Sequence, residues 1–291
     1  MPVWKAVLLG IIQGLAEFLP ISSSGHLVII KEMLGVNLGS GGMFFDVMLH
    51  LGTLLAIFVA FRKDIGKLIV EGIHIVIDLF SNIGIFFQNF FKANKSYRHV
   101  IKTAYRKYVL LLIVSTIPTG IIGVLLSDVV EVANGMVIVP GICLLITAIF
   151  LVIADLATPG SKRPKEVSYA NAGIAGVAQG LAVMPGISRS GTTITACILC
   201  GFDKKFAVKY SFIMSIPAVL GAVILELKDF GSIVISGNDI PACIIATIVA
   251  AVVGYLSICF MMSLVRGKKY KFFAIYCALI GVTAIIYAVL Q

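Results

Sequence analysis

Gln13-Gly14-Leu15-Ala16-Glu17-Phe18-Leu19-Pro20-Ile21-Ser22-Ser23-Ser24-Gly25-His26 puts a carboxylate, three hydroxyls and an imidazole into an otherwise apolar stretch of chain. Such groups are costly to remove from water. The stretch is written a second time: Gly176 to Gly191 aligns without a gap on Gly10 to Gly25, at an offset of 166 residues. Gly10, Gln13, Gly14, Leu15, Ala16, Ile21, Ser22, Ser24 and Gly25 recur as Gly176, Gln179, Gly180, Leu181, Ala182, Ile187, Ser188, Ser190 and Gly191. The copies differ where chemistry is at stake: Glu17 stands opposite Val183, Ser23 opposite Arg189 and His26 opposite Thr192.

Working outward, the rest of the chain is built for a bilayer. Hydrophobic residues make up 59% of the 291, charged residues 13%, and the mean hydropathy is +1.06. Soluble domains carry about a quarter charged residues, so the chain reads as an all-α polytopic membrane protein. Six stretches, 43–61, 108–127, 136–157, 209–228, 242–264 and 271–290, are each near the length that crosses the hydrocarbon. The regions 2–35 and 170–201 are apolar but interrupted, by Pro20 with Ser22 to Gly25 and by Pro185-Gly186 with Ser188 to Gly191. Proline and glycine halt a helix there, and each region reads as a re-entrant helix–loop–helix.

Charge placement gives an independent reading. Of the 23 Lys and Arg, 19 fall in 62–107, 158–169, 202–209 and 265–271, which short-loop cations mark as cytoplasmic. Loops 128–135, with Asp128 and Glu131, and 229–241, with Asp229 and Asp239, carry no cation and read as external. Segments 158–169 and 202–209 share a side although an apolar region lies between them, as a re-entrant element requires. The formal charge of +9 therefore reports membrane topology, and nucleic acid is not an expected partner. The six cysteines lie in apolar segments and read as packing residues.

Each half holds one re-entrant pair and three crossings, and the odd number inverts the second half relative to the first. The expected organisation is a first repeat over 1–157 and a second over 158–291 in one membrane domain. Residues 62–107 form an insertion of the first repeat, holding an amphipathic helix and a basic run; the helix reads as interfacial, with a seventh membrane element as the alternative. Inversion brings the two tips together near the bilayer midplane. The combined site then contains Glu17, Ser22, Ser23, Ser24 and His26 with Ser188, Arg189, Ser190, Thr192 and Thr193. Arg189 lies away from every loop and span end. Its guanidinium suits phosphate oxygens, and the glycine-flanked amides around Gly186 and Gly191 add an anion nest. Gln13 and Gln179 read as braces between the loops, and His50, His74 and His99 as structural or interfacial residues.

These motifs resemble those of the bacitracin-resistance type of undecaprenyl pyrophosphate phosphatase. That family carries an (E/Q)-x-x-x-E element, here Gln13 to Glu17, and a P-G-x-S-R-S-G-x-T element, here Pro185 to Thr193. The resemblance implies removal of the terminal phosphate from a polyprenyl pyrophosphate lipid, aided by a divalent cation, Mg²⁺ or Ca²⁺. It also implies residence in the bacterial plasma membrane, with the site opening to the outer face; the bilayer and a second copy of the chain are the other expected partners. Gln13 stands where many relatives have Glu, which leaves the acid role to Glu17. Asp46 matches an acidic position in relatives and joins Glu17 as an expected metal ligand. The resemblance does not decide the nucleophile: His26 is expected to be the nucleophile or the general acid, with Ser23 the rival nucleophile and direct attack by water, with Glu17 as base, the third route. Phosphatidic acid phosphatase type 2 enzymes use related elements but need a later His, and the chain has none after His99. The alternative from another class is a transporter or flippase for anionic prenyl-phosphate lipids.

Overall fold

The computed structural model describes residues 1–36, 41–91, 94–158, 160–228, 240–265 and 270–290. Most of the expected loop 229–241, with Asp229 and Asp239, lies outside these residues, as do Lys92, Arg266, Lys268 and Lys269. The described residues are helical, with no strand beyond one isolated bridge between Lys162 and Phe202.

In chain order the helices are α1 (Val3–Phe18), α2 (Ser23–Met33), α3 (Gly41–Ala60), α4 (Arg62–Phe90), α5 (Ala104–Leu125), α6 (Ser127–Asn134), α7 (Ile138–Leu156), α8 (Tyr169–Leu181), α9 (Arg189–Leu199), α10 (Lys204–Lys228), α11 (Ile240–Leu264) and α12 (Tyr270–Leu290). Both interrupted regions break where the sequence indicates. Pro20 ends the first arm, and the Ser22 hydroxyl caps α2 by accepting from Gly25 N. In the second copy the Ser188 hydroxyl caps α9 by accepting from Gly191 N. An N-cap of this kind satisfies an amide that the new helix would otherwise leave unpaired.

Each broken region returns to where it began. Lys5 Nζ, at the start of α1, donates to Leu34 O just past the end of α2, at 2.7 Å. At the second, Lys162 N donates to Gly201 O at 3.1 Å and Asp203 N donates back to Lys162 O at 3.0 Å, which ties the approach to α8 to the exit from α9. The first arms dock on helices of the opposite half, through the glycines that the repeat shares. A Cβ at Gly10 would lie 2.6 Å from Ala246 O of α11, and one at the matching Gly176 would lie 2.1 Å from Ser115 O of α5. Only glycine admits helices that close.

Among the described residues seven helices, not six, are long and apolar enough to cross a membrane: α3, α4, α5, α7, α10, α11 and α12. The additional one is α4, in the segment read from sequence as an interfacial insertion. Its charges break the apolar run along the chain but lie on one face in space. There Arg106 of α5 donates to Glu71 at 2.8 Å and to Asp78 at 2.6 Å. After α4 the chain runs back along it. Asn89 bonds Lys95, Asn82 bonds Arg98 and Glu71 bonds Thr103, until Tyr105 OH reaches Asp64 at 2.9 Å. The start of α5 thus sits beside the start of α4.

Three of the expected cytoplasmic segments, 62–107, 158–169 and 202–209, meet at this end of the bundle. Asp64, Arg163, Asp203, Lys205 and Lys209 line one cavity there, and Lys209 pairs with Asp64 at 3.0 Å.

Candidate active site

The two tips interlock through repeat-matched residues. A Cβ at Gly25 would fall 2.8 Å from Gly186 Cα, and one at Gly191 would fall 3.3 Å from Pro20 Cβ. Gly25 matches Gly191, and Pro20 matches Gly186, so repeat-matched positions meet in both directions across the junction. Gly186 holds φ +97°, where a side chain would be strained. Thr147 of α7 fixes that loop by donating to Gly186 O at 2.8 Å and accepting from Ser188 N at 2.9 Å. Ser190 Oγ crosses to Leu19 O at 3.3 Å. Ser22 also has a positive φ, +70°, a conformation that costs roughly 1–3 kcal/mol for a non-glycine residue and is tolerated where surrounding structure enforces it.

At this junction α2 and α9 begin, so two helix N-termini with positive dipole ends face one small space. A cavity of about 290 Å³ opens there, lined among others by Glu17, Ser22, Ser23, Ser24, Ser188 and Arg189. Glu17 is its centre. Arg189 Nη2 donates to Glu17 Oε1 at 2.7 Å, while Gln13 Nε2, at 3.1 Å, and the Ser23 hydroxyl donate to Oε2. The sequence places Glu17 and Arg189 172 positions apart, yet the carboxylate, the cation and the hydroxyl form one connected set.

His50 belongs to this set, although its sequence context suggests a structural residue. Its Nδ1 accepts from Gln13 Nε2 at 3.1 Å and lies 3.8 Å from Glu17 Oε1. The available signal is its position, one helical turn after Asp46 on an apolar span.

The other expected residues divide by where they point. Ser23 lines the cavity, whereas His26 is turned away from it. His26 Nδ1 lies 2.7 Å from Ser22 O, which can only accept, so Nδ1 carries the proton. Nε2 then accepts from Tyr276 OH at 2.9 Å, and the two rings stack. Both ring nitrogens are engaged, and His26 braces the tip against α12. Thr193 likewise faces inward, bonding Arg189 O at 2.7 Å and Ser211 at 2.5 Å. Arg189 Nη1, Thr192 Oγ1 and Gln13 Oε1 are buried without a hydrogen-bond partner. An unsatisfied buried polar atom costs about 1–3 kcal/mol; of these three, Arg189 lines the cavity and Gln13 bonds Glu17, so both bring spare bonding capacity to the site.

Asp46 lies outside the cavity lining and forms a salt bridge to Lys31 of α2, with Nζ 2.5 and 2.7 Å from its oxygens. Among the described residues no three His, Cys, Asp or Glu gather as a metal cluster. The oxygens at hand for a cation are the Glu17 carboxylate and the free Oε1 of Gln13. That set fits Mg²⁺, which commonly binds one or two carboxylates and takes its remaining ligands from water and substrate phosphates.

The family model described as Bacitracin resistance protein BacA matches residues 6–283. An undecaprenyl-diphosphatase of Methanosphaera stadtmanae is 40% identical over 289 residues, 99% of each chain. One from Halothermothrix orenii is 40% identical over 288 residues, again 99% of each chain, and one from Alkaliphilus metalliredigens is 37% identical over the full length of both.

Proposed function

This chain belongs to the bacitracin resistance protein BacA family, and from that premise we infer that it is an undecaprenyl-diphosphatase. It is a multi-pass membrane enzyme that hydrolyses undecaprenyl pyrophosphate to the monophosphate and phosphate, recycling the lipid carrier of cell-wall synthesis. The observation that carries the mechanism is the contact of Ser23, Glu17 and Arg189 across the two tips.

Ser23 is the nucleophile in this reading. Its hydroxyl lies in the cavity, at the first turn of α2, and donates to a carboxylate able to take its proton. As Ser23 Oγ bonds to the terminal phosphorus, the bond to the bridging oxygen breaks. Glu17 passes the proton to the departing prenyl monophosphate. Water then attacks the phosphoserine, gives its proton to Glu17, and Ser23 leaves with a proton restored. Arg189 and the amides at the starts of α2 and α9 hold the phosphoryl oxygens, where positioning and electrostatics supply most of the rate. Glu17 and Gln13 Oε1, with pyrophosphate oxygens, would hold a Mg²⁺ or Ca²⁺, which neutralises phosphate charge. His50 keeps Gln13 and Glu17 in register, and His26 fixes the turn that presents Ser23.

The finer topology follows the same reading. The adjacent ends of each hairpin support two re-entrant pairs, and the matched docking of α1 on α11 and α8 on α5 supports inverted repeats over 1–157 and 158–291. The return of the chain along α4 supports six crossings, with α4 lying at the cytoplasmic interface. Val130 of α6, in the cation-free loop, lines the catalytic cavity, which supports an opening to the outer face.

Purified protein in detergent should release phosphate from the prenyl pyrophosphate when Mg²⁺ is added, and Glu17→Ala should abolish that release. Turnover that requires a sealed membrane would favour a transporter instead.

A further inference from the structure

A second cavity, about 510 Å³ and almost wholly apolar, lies between α3, α4, α5 and α10. Its volume lies within the roughly 300–1,000 Å³ of small-molecule sites. It lies next to the catalytic cavity along two helices. On α5, Thr116 and Ile117 line the apolar cavity and Thr119 lines the catalytic one. On α10 the wall passes from Ile216 and Pro217 to Ala218 and Val219. Both helices carry an internal proline at this level, Pro118 and Pro217. Proline removes a backbone donor and bends a helix, which suits a place where two neighbours part to leave a groove.

We propose that this groove is the subsite for the first isoprene units of the substrate, seated with the pyrophosphate at Arg189 and the chain running toward Val109 and Ile65. The proposal rests on the hydrolase reading of the catalytic cavity. The occupant is set by continuity and chemistry: the groove offers apolar side chains and one hydroxyl, Thr116, already bonded to Leu112 O at 2.8 Å. From Thr116 to Val109 is seven residues, on the order of 10 Å along a helix, so only the part of a C55 chain nearest the phosphate is held.

The direction of the groove carries a consequence. It leads from the catalytic cavity toward the end of the bundle where Asp64, Arg163 and Lys209 gather. A lipid whose chain points to the cytoplasmic end comes from the outer leaflet, so the subsite selects the leaflet as well as the chain.

The test compares a C55 with a C5 prenyl pyrophosphate, whose single isoprene unit fills only the mouth of the groove, between Thr116 and Ile216. Val109→Trp and, separately, Ile113→Trp block the groove beyond its mouth without touching the catalytic set, and Ile149→Trp on the exposed face of α7 serves as control. Size-exclusion profiles identify any variant that does not fold. The expected result is a rise in KM for the C55 substrate on the order of tenfold, the scale of a hydrophobic pocket mismatch, with C5 hydrolysis unchanged. Equal loss on both substrates, or no loss on either, would overturn the subsite and leave the groove to a bilayer acyl chain. If the unmodified protein hydrolyses neither substrate, the hydrolase reading fails, and the subsite with it.

Discussion

Replacing Arg189 by Lys keeps the charge and removes the fork, and the structure sets what this should cost. Nη2 of Arg189 is bound to Glu17 at 2.7 Å, with the two side chains 17% and 6% exposed, while Nη1 is unpartnered. A guanidinium can hold Glu17 with one nitrogen and a phosphoryl oxygen with another. An ammonium on a shorter, rotating stem cannot make both contacts in one plane. Loss of one preoriented donor to a transition-state oxygen is worth about 10²–10³ in kcat, and that is the expected fall for Arg189→Lys in a phosphate-release assay. Arg189→Gln should go further, because it leaves the Glu17 carboxylate buried without its cation, a loss of about 3–5 kcal/mol of stability. The double change Glu17→Gln with Arg189→Gln should recover most of that stability, read as thermal unfolding in detergent, and recover no activity. Near wild-type turnover in Arg189→Lys would refute the clamp, and a double variant no more stable than Arg189→Gln would refute the pairing.

Three further outcomes follow from neighbouring contacts. Gly25→Ala should destabilise and inactivate more than Gly191→Ala, since its Cβ meets backbone at 2.8 Å where the other meets Ser188 and Pro20 side chains at 3.2 and 3.3 Å; overpacking of this kind costs about 1–3 kcal/mol, and unfolding curves of the pair decide it. Tyr276→Phe should reproduce part of the activity loss of His26→Ala, because both release the same brace; full activity in Tyr276→Phe beside a dead His26→Ala would instead give the imidazole a chemical role. His50→Ala should lower kcat by about tenfold with little change in KM, the mark of a group acting through Gln13 and Glu17, and an effect confined to KM would place His50 on the substrate.

Much of this was legible in the sequence for local reasons. Pro20, Gly186 and the serine caps act on their own backbone, so the two breaks were visible without a fold. Glu17 and Arg189 stood out because a bilayer tolerates few ionic groups. What escaped reading depended on distant partners. The orientation of His26 is set by Tyr276, 250 residues away. Asp46 is claimed by Lys31 from another helix. The charges of α4 look disruptive until Arg106 and the returning segment line up along one face of the helix.

The assignment of Ser23 as nucleophile is tested most directly by rapid-quench labelling with substrate carrying a radiolabel in its terminal phosphate. The account predicts acid-stable label on the protein, released as phosphoserine, present in His26→Ala at whatever rate that variant retains and absent in Ser23→Ala. Acid-labile label that vanishes in His26→Ala, or no covalent label during fast turnover, would contradict it.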